Sequence, residues 1–235
     1  MKKIVSSISA LLFLALVISC NDNSTSNPTT GFFLVANVSP DAPALNLTIN
    51  NQDMIDTGIS FGTYTPYYSA NAGTYNFAFY PSGSSTAAIS NNVTIEANKV
   101  YSYFLVDSFS EVKSSVVPDV FPKPPGDSVY VRFFNFSPSV PQPLSLFDST
   151  ANNVLATPFQ SRAFNDQSVN PSFANFVEIP AGNYTLQLKM VDGTTLWSHN
   201  GNLDGGKVYT LFAQGSYNGT GAQTFGLGQI VNYAP

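Results

Sequence analysis

Residues capable of acid–base or nucleophilic chemistry are few in this chain of 235 residues. His199 is its single histidine. Catalysis by a serine and a histidine requires an acid that orients the imidazole, and the nearby Ser198 and Asp204 have the composition of an ordinary loop. We therefore interpret His199 as a loop residue and assign no catalytic residue. Zinc sites built from cysteine and histidine are excluded by the residue counts.

The carboxylates offer a second kind of chemistry. The chain has 14 acidic residues, enough for a glycoside hydrolase, which needs a pair of them flanking the scissile bond. Several stand shortly before a glycine, in contexts typical of turns: Asp53, Asp56, Asp192 and Asp204. Turn formation is the favoured interpretation, and hydrolysis is the alternative. No metal site is predicted, because the Asp-x-Asp-x-Asp-Gly spacing of a calcium loop is missing, and no cofactor is predicted.

The single cysteine, Cys20, directly follows an N-terminal targeting segment at residues 1–19. Lys2 and Lys3 give the segment a positive start, and residues 4–18 form its apolar core. The final Val-Ile-Ser-Cys resembles the bacterial lipoprotein signal, in which a small residue precedes the cysteine that is lipidated. A plain secretory peptide with a chance cysteine is the alternative. A transmembrane helix is disfavoured because the apolar run is too short to span a bilayer comfortably.

The lipoprotein resemblance implies a mature chain that begins at Cys20 and is held to the membrane by acyl chains, of which firm anchoring needs more than one. Residues 20–30, rich in Asn, Ser and Thr, are interpreted as a flexible tether. Loss of Lys2 and Lys3 takes the formal net charge from −5 to −7, which argues against nucleic acid as a partner. We expect an extracytoplasmic lipoprotein of the outer membrane, with its periplasmic or surface face left open.

Three motifs each occur twice, in the same order: Asn-x-Ser-Pro at residues 37–40 and 135–138, Ala-Gly-x-Tyr at 72–75 and 181–184, and Lys-Val-Tyr at 99–101 and 207–209. Their nearly constant spacing indicates two copies of one module of about 100 residues. Asn37 of the first copy and Asn135 of the second occupy the same position of the Asn-x-Ser-Pro motif. We predict that they shape the same turn through hydrogen bonds from side chain to backbone.

The composition favours strands and turns, because charged residues are only 10% and aromatic and β-branched residues are common. Tyr75, Phe77 and Phe79 alternate with smaller residues, which is the period of a strand. The sequence therefore predicts an all-β fold with two tandem immunoglobulin-like β-sandwich modules, at residues 31–118 and 128–235. A Pro-rich linker at residues 119–127 should limit their relative orientations.

The second copy carries about eleven extra residues, which we place at residues 160–175. Long loops are commonly functional, and aromatic rings beside amide side chains suit a sugar or a protein partner. The candidate ligand-contact residues are therefore Arg162, Phe164, Asp166, Phe173 and Phe176. The alternative is that the phenylalanines pack this loop against its own sandwich or against the neighbouring module.

Trp197 has the side chain of a sugar platform, but it aligns with Ile89 of the first copy. A position that holds isoleucine in one copy and tryptophan in the other is better interpreted as part of the core. We therefore predict that Trp197 is buried.

Two serines are candidate sites of glycosylation. Ser128 and Ser149 lie in Asp-Ser-Val and Asp-Ser-Thr. These triplets resemble the Asp-Ser/Thr-apolar acceptor sites for O-glycans in Bacteroidetes.

The repeated Asn-x-Ser-Pro start, the Ala-Gly-x-Tyr turn and the Lys-Val-Tyr strand resemble the bacterial domain-of-unknown-function family 4397. The second copy departs from the pattern, with Ser139 in place of Asp41 and an extra residue, Gln142. The resemblance implies an extracytoplasmic β-sandwich in a secreted or lipid-anchored protein, and it implies no activity. We expect a non-catalytic, lipid-anchored envelope protein that binds a glycan or a protein partner or serves as a surface-structural module, with an envelope glycoside hydrolase as the alternative.

Overall fold

The computed structural model describes residues 29–232, and the targeting segment, Cys20 and most of the tether lie outside them. The first half contains strands β1 (Thr30–Asn37), β2 (Leu45–Ile49), β3 (Gln52–Ile59), β4 (Thr63–Tyr64), β5 (Tyr68–Asn71), β6 (Gly73–Pro81), β7 (Ile89–Ile95), β8 (Val100–Val106) and β9 (Lys113–Asp119). The second half contains β10 (Ser128–Asn135), β11 (Leu144–Asp148), β12 (Asn153–Val154), β13 (Val177–Pro180), β14 (Gly182–Met190), β15 (Thr195–Leu203), β16 (Val208–Gln214) and β17 (Gly226–Asn232). The helices within this range are 3-10 turns of three or four residues. Within it no helix has the length and apolar character needed to cross a membrane.

The strands form two β-sandwiches, as the sequence predicts. In the first, the sheet β3-β2-β6-β7, named the first outer sheet, packs on the first inner sheet, β4-β1-β8-β9, to which β5 is added at β1. In the second, the second inner sheet β13-β10-β16-β17 packs on the second outer sheet β12-β11-β14-β15. The strand order is therefore repeated from one half of the chain to the other.

The pairing within the sheets repeats as well. β1 runs parallel to β8, and β10 runs parallel to β16. Tyr75 donates a hydrogen bond to the carbonyl of Asn71, four residues earlier, at 2.7 Å. Tyr184 makes the same bond to the carbonyl of Pro180 at 2.5 Å. The two tyrosines that the sequence motif aligns thus perform the same structural task.

The inner sheets are apolar on both faces. Along β1, Phe33 and Val35 point into the first sandwich, whereas Leu34 and Ala36 belong to a separate cluster with residues of the second. A strand covered on both sides reads as a continuous apolar run and not as an alternating one. This explains why the sequence of β1 shows no period of two, although that of β6 does.

A third core therefore lies between the two inner sheets. Phe104 of β8 is fully buried there, and its ring centroid lies 4.8 Å from that of Phe136 and 6.2 Å from that of Phe212. Val117 on one side and Ile230 on the other complete the contact. The four sheets form a stack, and the two sandwiches share buried apolar surface, which stabilises one relative orientation.

A closed ring of polar side chains lies beside this core. Arg132 donates from Nη2 to Asp119 Oδ1 at 2.6 Å and from Nε to Thr210 Oγ1 at 2.8 Å. Thr210 donates to Asn232 Oδ1 at 2.6 Å, Asn232 donates to the Tyr67 hydroxyl at 2.9 Å, and Tyr67 donates to Asp119 Oδ2 at 3.3 Å. Burial raises the pKa of Tyr67, and the charge of Asp119 raises it further. The hydroxyl therefore remains a donor at any physiological pH.

Two boundaries differ from those expected. The segment Lys113–Asp119 is a strand, β9, that completes the first inner sheet, so Asp119 ends the first sandwich and does not begin the linker. Thr30, assigned to the tether, is the first residue of β1. The sequence did not indicate a strand here because Pro118 lies within β9 and more prolines follow it. Proline disfavours strands except at sheet edges. β9 is such an edge strand.

The turn predicted for the repeated asparagines is confirmed. Asn37 Oδ1 accepts from the Ser39 amide at 3.1 Å, and its Nδ2 donates to the Ile59 carbonyl at 2.9 Å. Asn135 accepts from the Ser137 amide at 3.1 Å and donates to the Arg162 carbonyl at 3.1 Å. Each buried amide thus holds the exit from the first strand of its sandwich against a neighbouring loop.

Candidate functional site

A groove of about 740 Å³ lies beside the junction of the two sandwiches. One wall consists of Val116, Val117 and Pro118 of β9 with Val120 and Pro122 of the linker. The other wall consists of Tyr130 of β10, of residues from the insertion, chiefly Gln167, Pro171 and Asn175, and of Phe176, which directly follows the insertion. This set of residues is referred to below as the groove.

Local sequence explains the first wall. β9 alternates, so that Ser115, Val117 and Asp119 face the second sandwich whereas Val116 and Pro118 are exposed. The linker that follows is rich in proline, which keeps the backbone extended and leaves it without amide donors at those positions. Val120 is 77% exposed as a result. This wall therefore exposes the apolar side chains of Val116 and Val120 to solvent, on a backbone whose flexibility the prolines restrict.

The second wall is held in place by Arg162, which is fully buried. Its Nε and Nη2 donate to the Asp166 carboxylate at 2.9 Å and 2.5 Å, and its Nη1 donates to the Phe133 carbonyl at 2.6 Å. The guanidinium carbon lies 4.2 Å from the centroid of the Phe173 ring. Arg162 is therefore an internal anchor of the insertion, and this burial corrects its assignment as a ligand-contact residue.

The phenylalanines in and beside the insertion serve the same packing. Phe164 is half-buried against the core between the inner sheets. Phe176 lies over the guanidinium of Arg132, at 4.5 Å from its carbon to the ring centroid, and next to Phe121. The insertion thus packs between the sandwiches, as in the second of the two expected arrangements. Among the five residues predicted to contact a ligand, Phe176 is the one that lines the groove.

Gln167 places an unused acceptor at the groove. Its side chain is 4% exposed, and its Nε2 donates to Ser115 Oγ at 3.0 Å and to Asn165 Oδ1 at 2.7 Å. Its Oε1 is buried and accepts no hydrogen bond from the described residues. A buried carbonyl oxygen without a partner is unfavourable, so a ligand that gained access to this oxygen through a small movement of the Gln167 side chain would benefit from donating to it.

The groove is uncharged, since none of its lining residues is acidic or basic. Glu178 is outside the lining, and its carboxylate accepts from Ser128 Oγ at 2.7 Å and from the Tyr130 hydroxyl at 3.1 Å. The hydrogen bond to Glu178 raises the pKa of Tyr130, so the phenol stays neutral. The site is therefore suited to an uncharged, partly apolar ligand.

The other predicted residues lie away from the groove or are engaged elsewhere. Ser128 is 8% exposed and its hydroxyl is bonded to Glu178, so the folded chain does not present it for glycosylation. Ser149 is half-buried in the turn after β11, where Asp148 accepts from the Thr150 amide at 3.0 Å. Cys20 lies outside the described residues.

His199 and Trp197 lie side by side on one strand. His199 is exposed on β15, not in a loop, because the hairpin from β14 extends past it. Trp197 packs against the core of the second sandwich but is only half-buried, less than predicted, and its ring centroid lies 5.8 Å from that of His199. Among residues 29–232 no group of three histidine, cysteine or acidic side chains is arranged to hold a metal.

Sequence reasoning missed three residues that define the groove: Val116, Val120 and Gln167. The available signal was weak. The sequence prediction places Val116 in the first module and Val120 in the Pro-rich linker, and no sequence motif marks either valine as part of a site. Gln167 has no sequence feature that distinguishes it from the other amides of the insertion.

Comparison with known proteins gives one family match. Residues 32–142 match a family model described as "Domain of unknown function (DUF4397)". The match covers nearly all of the first sandwich and continues through β10 of the second. It supports the resemblance drawn from the repeated motifs, and no curated protein matches the chain.

Two solved structures are similar in part. The Bacillus anthracis TIE protein aligns with 79% of this chain at 11% identity and a TM-score of 0.22, and the alignment covers 34% of that protein. A carbohydrate-binding domain, CBMbc of family CBM26 from Eubacterium rectale Amy13K in complex with maltoheptaose, aligns with 87% of this chain at 7% identity and a TM-score of 0.25, covering 98% of that domain. TM-scores this low carry no conclusion about the ligand of this chain.

Proposed function

We propose that this chain is a non-catalytic, lipid-anchored protein of the cell envelope that binds an extended, uncharged segment of a protein partner in the groove. The observation that carries the proposal is the concentration of exposed apolar side chains there. Of the six large hydrophobic residues exposed among those described, Val116 and Val120 line the groove and Val169 follows Ser168, which lines it. Contiguous apolar exposure of this kind marks interaction surfaces.

A polypeptide fits the walls better than a sugar does. Valine and proline side chains provide apolar contact but no hydrogen bonds to the many hydroxyls of a glycan. β9 pairs with β8 on one edge, and no strand among residues 29–232 pairs with its other edge. An extended peptide can run along such an edge, with its side chains in the apolar groove. The acceptor of Gln167 and the absence of charged lining residues favour an uncharged segment.

The proposal of a binding role rests also on where the acids lie. Asp119 is paired with Arg132, Asp166 is paired with Arg162, and Asp148 holds a turn. These three carboxylates have structural tasks, and no carboxylate lines the groove. A glycosidase would place two carboxylates about the scissile bond, so the groove supports binding and not hydrolysis.

The envelope location rests on the sequence. Cys20 at the end of the targeting segment would carry the acyl chains, and the tether would hold the sandwiches away from the lipid surface. The outer membrane is the location we propose. The repeated strand order further leads us to propose that the second sandwich is a diverged copy of the family domain that matches the first.

Peptide selection tests the groove. The full chain is used to select binders from a random peptide library, and the affinity of the selected peptides is measured by fluorescence anisotropy. We expect Val120→Asp to weaken binding by about tenfold or more, because a buried, unpaired charge opposes docking. Val191→Asp is the matched control, since Val191 is also an exposed valine, 55% accessible, and lies on the turn after β14.

Selected peptides that are uncharged at their centre and discriminate between these two variants support the proposal. Peptides that bind the Val120→Asp variant as tightly as the unmodified chain contradict it, as does a library that yields no binder.

A further inference from the structure

A second, smaller cleft lies on the exposed face of the first outer sheet. It has a volume of about 260 Å³ and is lined by Asn46, Thr48, Asp53, Tyr80, Ser84 and Ser85. This is below the usual range for the pocket of a drug-sized ligand, so the cleft has room for one unit of a larger molecule. It lies on a different sheet from the groove and shares none of the residues that line it.

Strand register creates the cleft. Leu45 and Leu47 of β2 are fully buried, so the alternating Asn46 and Thr48 point outward. Tyr80 of β6 lies opposite Asn46, and Asp53 of β3 lies opposite Thr48. Opposite residues share a face of the sheet. A ring, a carboxylate, an amide and a hydroxyl are thus brought together on one surface.

Several of these polar groups are unused. The Asp53 carboxylate and the Tyr80 hydroxyl form no hydrogen bond or ion pair with the described residues. Thr48 Oγ1 is shielded from solvent and has no partner among them. Asn46 Oδ1 accepts from Ser82 Oγ at 3.3 Å, which fixes the amide and directs its other end away from Ser82. The cleft holds donors and acceptors that its own fold does not satisfy.

The second sandwich shows what the same place looks like when it is filled. Ser145 lies opposite Lys189 there, as Asn46 lies opposite Tyr80, and Phe147 stands where Thr48 stands, opposite Val154 in place of Asp53. Lys189 Nζ lies 3.7 Å from the centroid of the Phe147 ring. In the second sandwich a bulky ring and its lysine cover this site, whereas the first sandwich keeps it open and polar.

From this contrast we infer that the cleft on the first outer sheet is a binding site for a neutral saccharide and takes one hexose unit of a glycan. A carboxylate accepts hydrogen bonds from two adjacent hydroxyls, and the Tyr80 hydroxyl both donates and accepts. The ring of Tyr80 offers an apolar face to the carbon–hydrogen side of the sugar. The negative charge of Asp53 opposes acidic sugars, which selects for neutral ones.

Saturation-transfer NMR with the full chain tests the inference. The probes are neutral hexasaccharides: α-1,4-glucan, β-1,4-glucan, β-1,3-glucan, β-1,4-xylan and α-1,6-mannan. We expect at least one to give a saturable signal, and Asp53→Asn to weaken its binding by about tenfold. Asp56→Asn removes the same charge from the same exposed strand outside the cleft, and it should leave binding unchanged.

A variant that fills the cleft with a larger side chain tests the inference without changing any charge. Thr48→Phe reproduces the residue of the second sandwich and should abolish the signal while the thermal midpoint stays within a few degrees. Val120→Asp in the groove should leave saccharide binding intact, which separates this inference from the proposed protein partner. No signal with any of the five probes overturns the inference, as does equal weakening by Asp53→Asn and Asp56→Asn or unchanged binding by Thr48→Phe.

Discussion

Arg132 and Asp119 form an ion pair between the two sandwiches, with Arg132 Nη2 at 2.6 Å from Asp119 Oδ1 and both side chains fully inaccessible to solvent. Arg132 belongs to the first strand of the second sandwich and Asp119 to the last strand of the first. Val117 and Pro118 of the groove immediately precede Asp119. The ion pair therefore fixes the alignment of the two sandwiches at the place where the groove is formed.

Removing the charge of Asp119 should destabilise the protein strongly. Asp119→Asn leaves the guanidinium of Arg132 buried without a counter-ion, which costs about 3–5 kcal/mol of unfolding free energy. Urea denaturation followed by circular dichroism measures the loss. Lys113→Gln is the control, because the pair of Lys113 with Asp107 is solvent-exposed on the lysine side and should contribute little. Equal stabilities of the two variants would contradict the structural role of the pair.

The shared core predicts that the two sandwiches unfold together. Leu47→Ala in the core of the first sandwich should cost about 2–5 kcal/mol. Trp197 is the single tryptophan of the chain and lies in the second sandwich. Because Phe104 joins the two through the third core, the urea midpoint from tryptophan fluorescence should fall along with that from circular dichroism. A fluorescence midpoint that does not move would show that the sandwiches unfold independently.

The strand pattern of the individual sandwiches was predictable, since Tyr75, Phe77 and Phe79 alternate and the motifs repeat. The packing between sandwiches was harder to foresee. One indication of this packing was the continuous apolar run of β1, because a strand in a sheet with one solvated face alternates apolar and polar residues. A second indication was Arg132, a charged residue within an otherwise apolar strand. The partner of Arg132 could not be named, because Asp119 was assigned to the linker and nothing local marked it as buried.

Stability should fall at alkaline pH through Tyr103. Burial raises the pKa of Tyr103 from 10.0 to about 12. The folded state therefore holds the phenolic proton more tightly than the unfolded state does, and this contribution is present below pH 10 and lost as the pH rises from 10 to 12. The slope for one such group is about 1.4 kcal/mol per pH unit.

The measurement is the urea midpoint between pH 8 and pH 12. Tyr103→Phe keeps the ring and removes the titrating group, so its stability should decline less steeply than that of the unmodified chain. Tyr64→Phe, at a tyrosine that is 45% exposed, is the control and should follow the unmodified chain. Identical slopes for all three proteins would contradict the prediction.

Cys20→Ser should release the protein from the membrane. The substitution removes the thiol that the lipoprotein signal offers for acylation. The acidic sandwiches offer no electrostatic attraction to an anionic membrane that could replace the acyl chains. The protein should move to the soluble fraction after cell fractionation and lose incorporation of labelled fatty acid. Acyl labelling that persists in the variant would show that the lipoprotein interpretation is wrong.

Site-specific photo-crosslinking in intact cells tests the proposed function most directly. A photoreactive amino acid at position 120 in the groove should yield discrete protein adducts. The same amino acid at position 191, on the turn after β14, should yield none. A further substitution in the groove, Val116→Asp, should remove the adducts at position 120 while the protein remains folded. Protein adducts that form equally at position 191, or that persist with Val116→Asp, would contradict binding in the groove, as would their absence at position 120.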